Sequence, residues 1–228
     1  KAIGTFQLES PAQREMAGRL LPDRYEDIII SISLVRPGPL KSNMDKDYLP
    51  RRHGQKPVTY LHPKLKNALG ETLGVILYQE QVLKVAHDLA GMSYAEADGF
   101  RRAMTHDRSD EEMEKMRDAF ISSAAKNSVS RNIAEKVFEQ LAAFASYGFC
   151  KAHAAAYAEL AYQTLWLKCH YPAEFFAALL SNQPMGYYPP RVLVADARRH
   201  GVKVLPLDIN NSFDSYMVEG KAIRIGFR

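Results

Sequence analysis

Four groups of cations in this 228-residue chain are spaced so that they could hold phosphate oxygens. In the first, Arg36 stands before Pro37-Gly38-Pro39 and closes the apolar run Ile28-Ile29-Ile30-Ser31-Ile32-Ser33-Leu34-Val35, which leaves a guanidinium at a rigid corner. The second, Arg51-Arg52-His53 with Lys41, Lys46 and Lys56, is read as a loop with a solvated face. The third, Phe100-Arg101-Arg102-Ala103-Met104-Thr105-His106-Asp107-Arg108, puts cations at the end of a capped helix and in the turn after it. The fourth is Tyr147-Gly148-Phe149-Cys150-Lys151-Ala152-His153-Ala154-Ala155-Ala156-Tyr157. Here a glycine-containing turn leads into a helix whose first turn offers free N–H groups, a Lys and a His, a combination suited to an anion. His153 and Tyr157 are four apart and share a helix face, kept slim by three alanines. Each group has a structural alternative. Helix C-termini attract cations through the dipole, which covers Arg36 and the Arg101-Arg102 pair, and close helix packing with Tyr157 as a core aromatic covers the fourth.

Other chemistries find little footing. The chain has no phosphate-cradling Walker loop, no dinucleotide glycine fingerprint, no His-Glu-x-x-His and no nucleophile elbow. Asp45-Lys46-Asp47 imitates the carboxylate pair of two-metal enzymes, but a lysine separates the two and no apolar strand fixes them, so it is taken as a solvated loop. The histidines are scattered, and Cys169-His170 cannot close a tetrahedral metal site. No catalytic residue and no metal ligand is assigned. Two cysteines, Cys150 and Cys169, make no disulfide framework, which points to a reducing compartment and the cytoplasm.

The elements that must position these groups are mostly helices. Hydrophobic residues make up 46% and charged residues 25%, which excludes a disordered or fibrous chain. A formal charge of +4 is too mild for a polycation but allows a locally basic face. No apolar run approaches the roughly 20 residues a membrane span needs, and no export signal opens the chain. Four helix-start boxes recur, at Ser10-Pro11-Ala12-Gln13, Asp23-Arg24-Tyr25-Glu26, Ser93-Tyr94-Ala95-Glu96 and Ser109-Asp110-Glu111-Glu112. Helical spacing follows in Val82, Val85, Ala86 and Leu89, and again in Ile133, Val137, Phe138, Leu141 and Phe144. A long Ala-rich helix is expected over about 153–170, stopped at Tyr171-Pro172, then a short helix over 173–180. After the turn-rich Gln183-Pro184-Met185-Gly186-Tyr187-Tyr188-Pro189-Pro190, the pattern predicts a helix over 191–200 and strands near 202–205, 215–218 and 222–227. The predicted fold is mainly α, with residues 1–182 a multi-helix domain and 183–228 a connector with the start of a small α/β segment. Because it opens on Lys1 and ends on Ile225-Gly226-Phe227-Arg228 in mid-pattern, the chain is expected to be a piece of a longer protein.

Six motifs occur in the order seen in the bacterial DNA polymerase III alpha subunit. They are Gly4-Thr5-Phe6-Gln7-Leu8-Glu9-Ser10, Val35-Arg36-Pro37-Gly38-Pro39-Leu40, Tyr78-Gln79-Glu80-Gln81-Val82, Glu96-Ala97-Asp98-Gly99-Phe100-Arg101-Arg102-Ala103-Met104, the run from Tyr147 to Tyr157, and His170-Tyr171-Pro172-Ala173-Glu174-Phe175. The chain resembles the fingers region of this family over nearly its whole length. Its tail, with Ser181-Asn182-Gln183-Pro184-Met185-Gly186, Ala197-Arg198-Arg199-His200-Gly201 and Asp208-Ile209-Asn210, is similar to the error-prone branch.

The resemblance implies nucleotidyl transfer by the intact enzyme, with two magnesium ions held by palm aspartates outside this chain. It implies primer-template DNA, deoxynucleoside triphosphates, a sliding clamp and other polymerase subunits as partners, and an isolated fragment that extends no primer. By motif, Arg101 and Arg102 resemble the triphosphate-facing arginines, Lys151 and His153 lie in the glycine-turn motif, and Arg36 and Tyr157 are further nucleotide-binding candidates. Two stretches depart from the pattern. Many relatives read Gly-Lys-Lys where this chain has Thr105-His106-Asp107, which removes positive charge, and Asn-Lys-Ser-His where it has Cys150-Lys151-Ala152-His153, which keeps both cations. A free-standing helical nucleic-acid-binding module and a protein-interaction scaffold remain as alternatives.

Overall fold

Ser10 starts the first helix by accepting the Gln13 N–H at 3.3 Å, and Pro11, with no N–H to satisfy, takes the first helical position. The computed structural model describes residues 2–36, 44–104, 110–145 and 149–227. Its helices are α1 (Pro11–Leu20), α2 (Tyr25–Leu34), α3 (Met44–Arg52), α4 (Leu65–Leu69), α5 (Gln79–Ala90), α6 (Tyr94–Met104), α7 (Asp110–Lys126), α8 (Arg131–Ala145), α9 (Lys151–His170), α10 (Pro172–Ser181) and α11 (Pro190–Arg199). A short 3-10 turn, Gly70–Thr72, follows α4. The strands are β1 (Lys203–Leu205), β2 (Met217–Glu219) and β3 (Ala222–Arg224). The fold is mainly α with a small C-terminal sheet, as the sequence predicts. The Ser109 helix start, Thr105-His106-Asp107 and the Tyr147-Gly148 turn lie outside the described residues.

The chain divides into two compact units, one of Lys1–Ile28 with Ala156–Arg228 and one of Ile29–Ala155. In the second unit, α5 buries Val82, Val85, Ala86 and Leu89 on one face. Rings from three helices meet beside it: Phe100 stacks on Phe120 at 5.4 Å, and Phe138 lies 5.9 Å from Phe120. Gln81 locks the entry to α5. Its buried amide accepts the Leu77 and Tyr78 N–H groups at 2.8 and 3.1 Å and donates to Thr72 Oγ1 at 2.7 Å. Thr72 in turn donates to the Val75 carbonyl, so the 3-10 turn and α5 are held as one piece.

The first unit builds its core from Ile3, Phe175, Phe176, Leu180, Leu193, Ala197, Val202 and Ile223. Strand β3 is central, parallel to β1 in the register Val204↔Ile223 and antiparallel to β2 in the register Val218↔Ile223. One buried ion pair lies in this unit. Lys168 Nζ, on α9, reaches Asp196 Oδ2 on α11 at 2.7 Å and the Ile3 carbonyl at 2.6 Å. Burial drives the Lys168 pKa down, and the bond to Asp196 opposes that shift. The sequence boundary near residue 182 falls between α10 and α11.

Three local expectations need correction. Asp45-Lys46-Asp47 and Arg51-Arg52 are not loop: they lie in α3, where Met44, Tyr48 and Leu49 are buried and carry Asp45 inward with them. Polar composition and Pro50 conceal that narrow apolar stripe, and Arg51 Nη1 is spent on the Leu73 carbonyl at 2.7 Å. At α2 the acceptor that returns to the Asp23 N–H is Asp27, at 3.2 Å, rather than Glu26.

Candidate phosphate-handling site

Two helix starts and one helix end come together in the second unit. The first turn of α5 carries Gln79 and Glu80, consecutive residues that hold two of the expected cations. Gln79 Oε1 accepts Arg101 Nη1 at 3.2 Å, and the Gln79 N–H donates to the Phe149 carbonyl at 2.8 Å. The Glu80 carboxylate accepts the Lys151 N–H with both oxygens at 3.2 Å, which caps the 20-residue α9. Hence Arg101, at the end of α6, and Lys151, at the start of α9, are anchored through adjacent side chains.

The Phe149 ring gathers two more. Arg36 lies over it, with its guanidinium carbon 3.9 Å from the centroid, and the His153 ring meets it edge-on at 5.4 Å. Burial lowers the Arg36 pKa from its ordinary value, a shift that leaves an arginine charged at neutral pH. Lys151 Nζ bonds Glu71 Oε2 at 2.5 Å and lies 5.8 Å from the Tyr78 ring. Burial pushes the Tyr78 hydroxyl well above its usual range, so it stays neutral.

One carboxylate, that of Asp98, serves both arginines of α6. Arg101 gives Nε and Nη2 to Asp98 Oδ1 at 3.1 and 2.8 Å, and Arg102 reaches Asp98 Oδ2 at 2.7 Å. The Arg101 bond leads the effects that hold the Asp98 carboxyl below its usual range. Arg101 is mostly buried and aimed, with its side chain 22% exposed, whereas Arg102 is 70% exposed and reaches solvent. The free N–H groups expected at the start of α9 are therefore not all free, because Glu80 already takes that of Lys151.

The structure brings Arg36, Arg101, Lys151 and His153 into one linked set, with Arg102 joined through Asp98. Tyr157 belongs to the first unit, where its ring stacks on Phe6 at 5.4 Å and 22°. Sequence reasoning missed Glu71, Gln79, Glu80 and Asp98 as partners of the cations. Asp98 was findable from its spacing of three and four before Arg101 and Arg102. The Glu71–Lys151 pair spans 80 positions and leaves no local signal. Among the described residues, no three His, Cys, Asp or Glu come together to hold a metal ion. Neither is any described helix long and apolar enough to cross a membrane.

The sequence model of the bacterial DNA polymerase III alpha subunit finger domain matches residues 1–128, and the chain belongs to that family. Among curated proteins, it is 50% identical over its full length to a protein of Symbiobacterium thermophilum named error-prone DNA polymerase, covering 23% of that relative. Proteins of the same name from Corynebacterium jeikeium and Vibrio campbellii are 48% and 43% identical over 92% and 99% of this chain, which covers 18% and 23% of them. The chain thus spans about a fifth of the length of these relatives.

Proposed function

We propose that this chain supplies the fingers of an error-prone DNA polymerase and holds the triphosphate of an incoming deoxynucleoside triphosphate through Arg101 and Lys151. Arg102, His153 and Arg36 add positive charge around them, and Tyr157 packs near the base or sugar. Residues 1–182 act as the fingers, and 183–228 as a connector and the start of a small α/β segment leading to a following domain. Primer-template DNA, a sliding clamp and other polymerase subunits are the partners, the last two through regions outside this chain, and the cytoplasm is the location. Magnesium, carried by palm aspartates elsewhere in the parent, would stabilise the attacking and leaving oxygens.

The observation that carries this reading is the joint at the start of α5, where Gln79 bonds the Arg101 guanidinium and the next residue, Glu80, bonds the Lys151 main chain. Positive charge fixed before the substrate arrives needs no reorganisation when negative charge shifts onto the departing pyrophosphate, which is how such groups speed phosphoryl chemistry. The three bonds that hold Arg101 aim its guanidinium in this way, and the Glu80 cap fixes the backbone from which Lys151 extends.

The test is single-nucleotide incorporation by the intact polymerase across nucleotide concentrations. Arg101→Ala or Lys151→Ala removes a charge-assisted bond worth roughly 1.5 to 3 kcal/mol, or about 10- to 150-fold in kcat/KM for nucleotide. Primer-template affinity should change far less. Unchanged incorporation by well-folded variants rejects the assignment, and a loss confined to DNA binding moves these residues to the template backbone.

A further inference from the structure

Glu71 and Glu80 both meet Lys151, but in different ways. Glu80 bonds the main chain and belongs to the capping of α9. Glu71 bonds the ammonium, through a side chain that is 40% exposed against 42% for that of Lys151. Its backbone cannot drift, because the neighbouring Thr72 is buried in the network with Gln81 and Val75. A fixed backbone carrying a solvent-facing carboxylate gives a counter-ion that is always present and easily exchanged. An exposed pair of this type shifts an equilibrium by only about 1.4- to 5-fold. A triphosphate brings several charges and can outbid it, whereas a singly charged anion competes on equal terms at best.

We propose that Glu71 is the displaceable counter-ion of the triphosphate site: it holds Lys151 while nucleotide is absent and yields the ammonium to a phosphate oxygen when a triphosphate binds. The carboxylate thereby weakens nucleotide binding. This rests on the reading that Lys151 meets the triphosphate.

The experiment uses the intact polymerase with primer-template and measures the apparent Kd for dATP from single-turnover incorporation. Parent, Glu71→Gln, Lys151→Ala and the double variant are compared at low and high salt, with Glu71→Ser as a second carboxylate-free variant. Glu71→Gln is expected to tighten dATP by about 1.4- to 5-fold, less at high salt, and to lose this effect in the Lys151→Ala background. A pair that only steadies the fold would shift thermal unfolding without that coupling. If Lys151→Ala weakens dATP but both Glu71 variants leave it unchanged or weaken it, this inference is overturned and the triphosphate reading stands. If Lys151→Ala leaves dATP binding unchanged, both fall together.

Discussion

Replacing Asp196 by Asn keeps the shape of the side chain and removes its charge from the first unit. Asp196 is 4% exposed and faces Lys168, which is 3% exposed, and the ammonium also donates to the Ile3 carbonyl. Around the pair lie Arg199, 3.3 Å from Asp196, His200, whose Nδ1 is 3.8 Å away, and Glu9, whose charge also favours the lysine ion. Breaking a buried pair from one side costs about 3 to 5 kcal/mol, because the remaining charge is stranded in a poorly polarisable site. Asn retains one acceptor, so about 3 kcal/mol is expected for Asp196→Asn at neutral pH. The loss should shrink with rising pH. The folded-state pKa of Lys168 already lies below its ordinary value through burial, and losing Asp196 lowers it further. Between that lowered pKa and the ordinary lysine value, the unfolded chain binds more protons, so stability rises with pH there and the window opens earlier in the variant. Trp166, the single tryptophan, lies 4.6 Å from His170 and 5.6 Å from Tyr171 in the same unit, and its fluorescence during urea unfolding of the 228-residue chain reports this unit. A loss under about 1 kcal/mol at neutral pH, or one that grows toward pH 10, would refute the description of the pair as a buried charge on the edge of its desolvation cost.

Gln81→Leu should cost about 2 to 4 kcal/mol, since it strands the buried Leu77 and Tyr78 N–H groups and removes the bond that Thr72 Oγ1 accepts, and a loss under about 1 kcal/mol by denaturant titration would contradict this. Glu80→Ala uncaps α9 and should lower stability by about 0.5 to 2 kcal/mol, read by thermal unfolding, with no change expected if the cap were incidental. The 228-residue chain alone should bind primer-template weakly, with no sequence preference and with affinity falling as salt rises, and should extend no primer with magnesium. Salt-insensitive binding or steady extension by rigorously purified chain would count against it.

What the sequence made legible follows from how local each signal is. The Ser10 and Ser93 starts and the apolar spacing of α5 and α8 are written within a turn or two, and the helices stand where those signals put them. Helix α3 was hidden because three apolar residues suffice to bury a nine-residue helix that is otherwise charged. At the candidate site, the cations could be named from their motifs, but their carboxylate partners could not. Lys151 finds Glu80 from 71 positions away and Glu71 from 80, and such pairings exist only once the helices have packed. For the same reason, one N–H of the helix end expected to be free for an anion, that of Lys151, is taken from within by Glu80.

The central claim is that Arg101 and Lys151 hold the triphosphate, and a structure of the intact polymerase with primer-template and a non-hydrolysable nucleotide tests it most directly. The account predicts triphosphate oxygens within about 2.7 to 3.2 Å of the Arg101 guanidinium and the Lys151 ammonium, with Gln79 still bonded to Arg101 and Glu71 released from Lys151. A triphosphate bound elsewhere, with the Arg101–Asp98 and Lys151–Glu71 pairs intact, would contradict it.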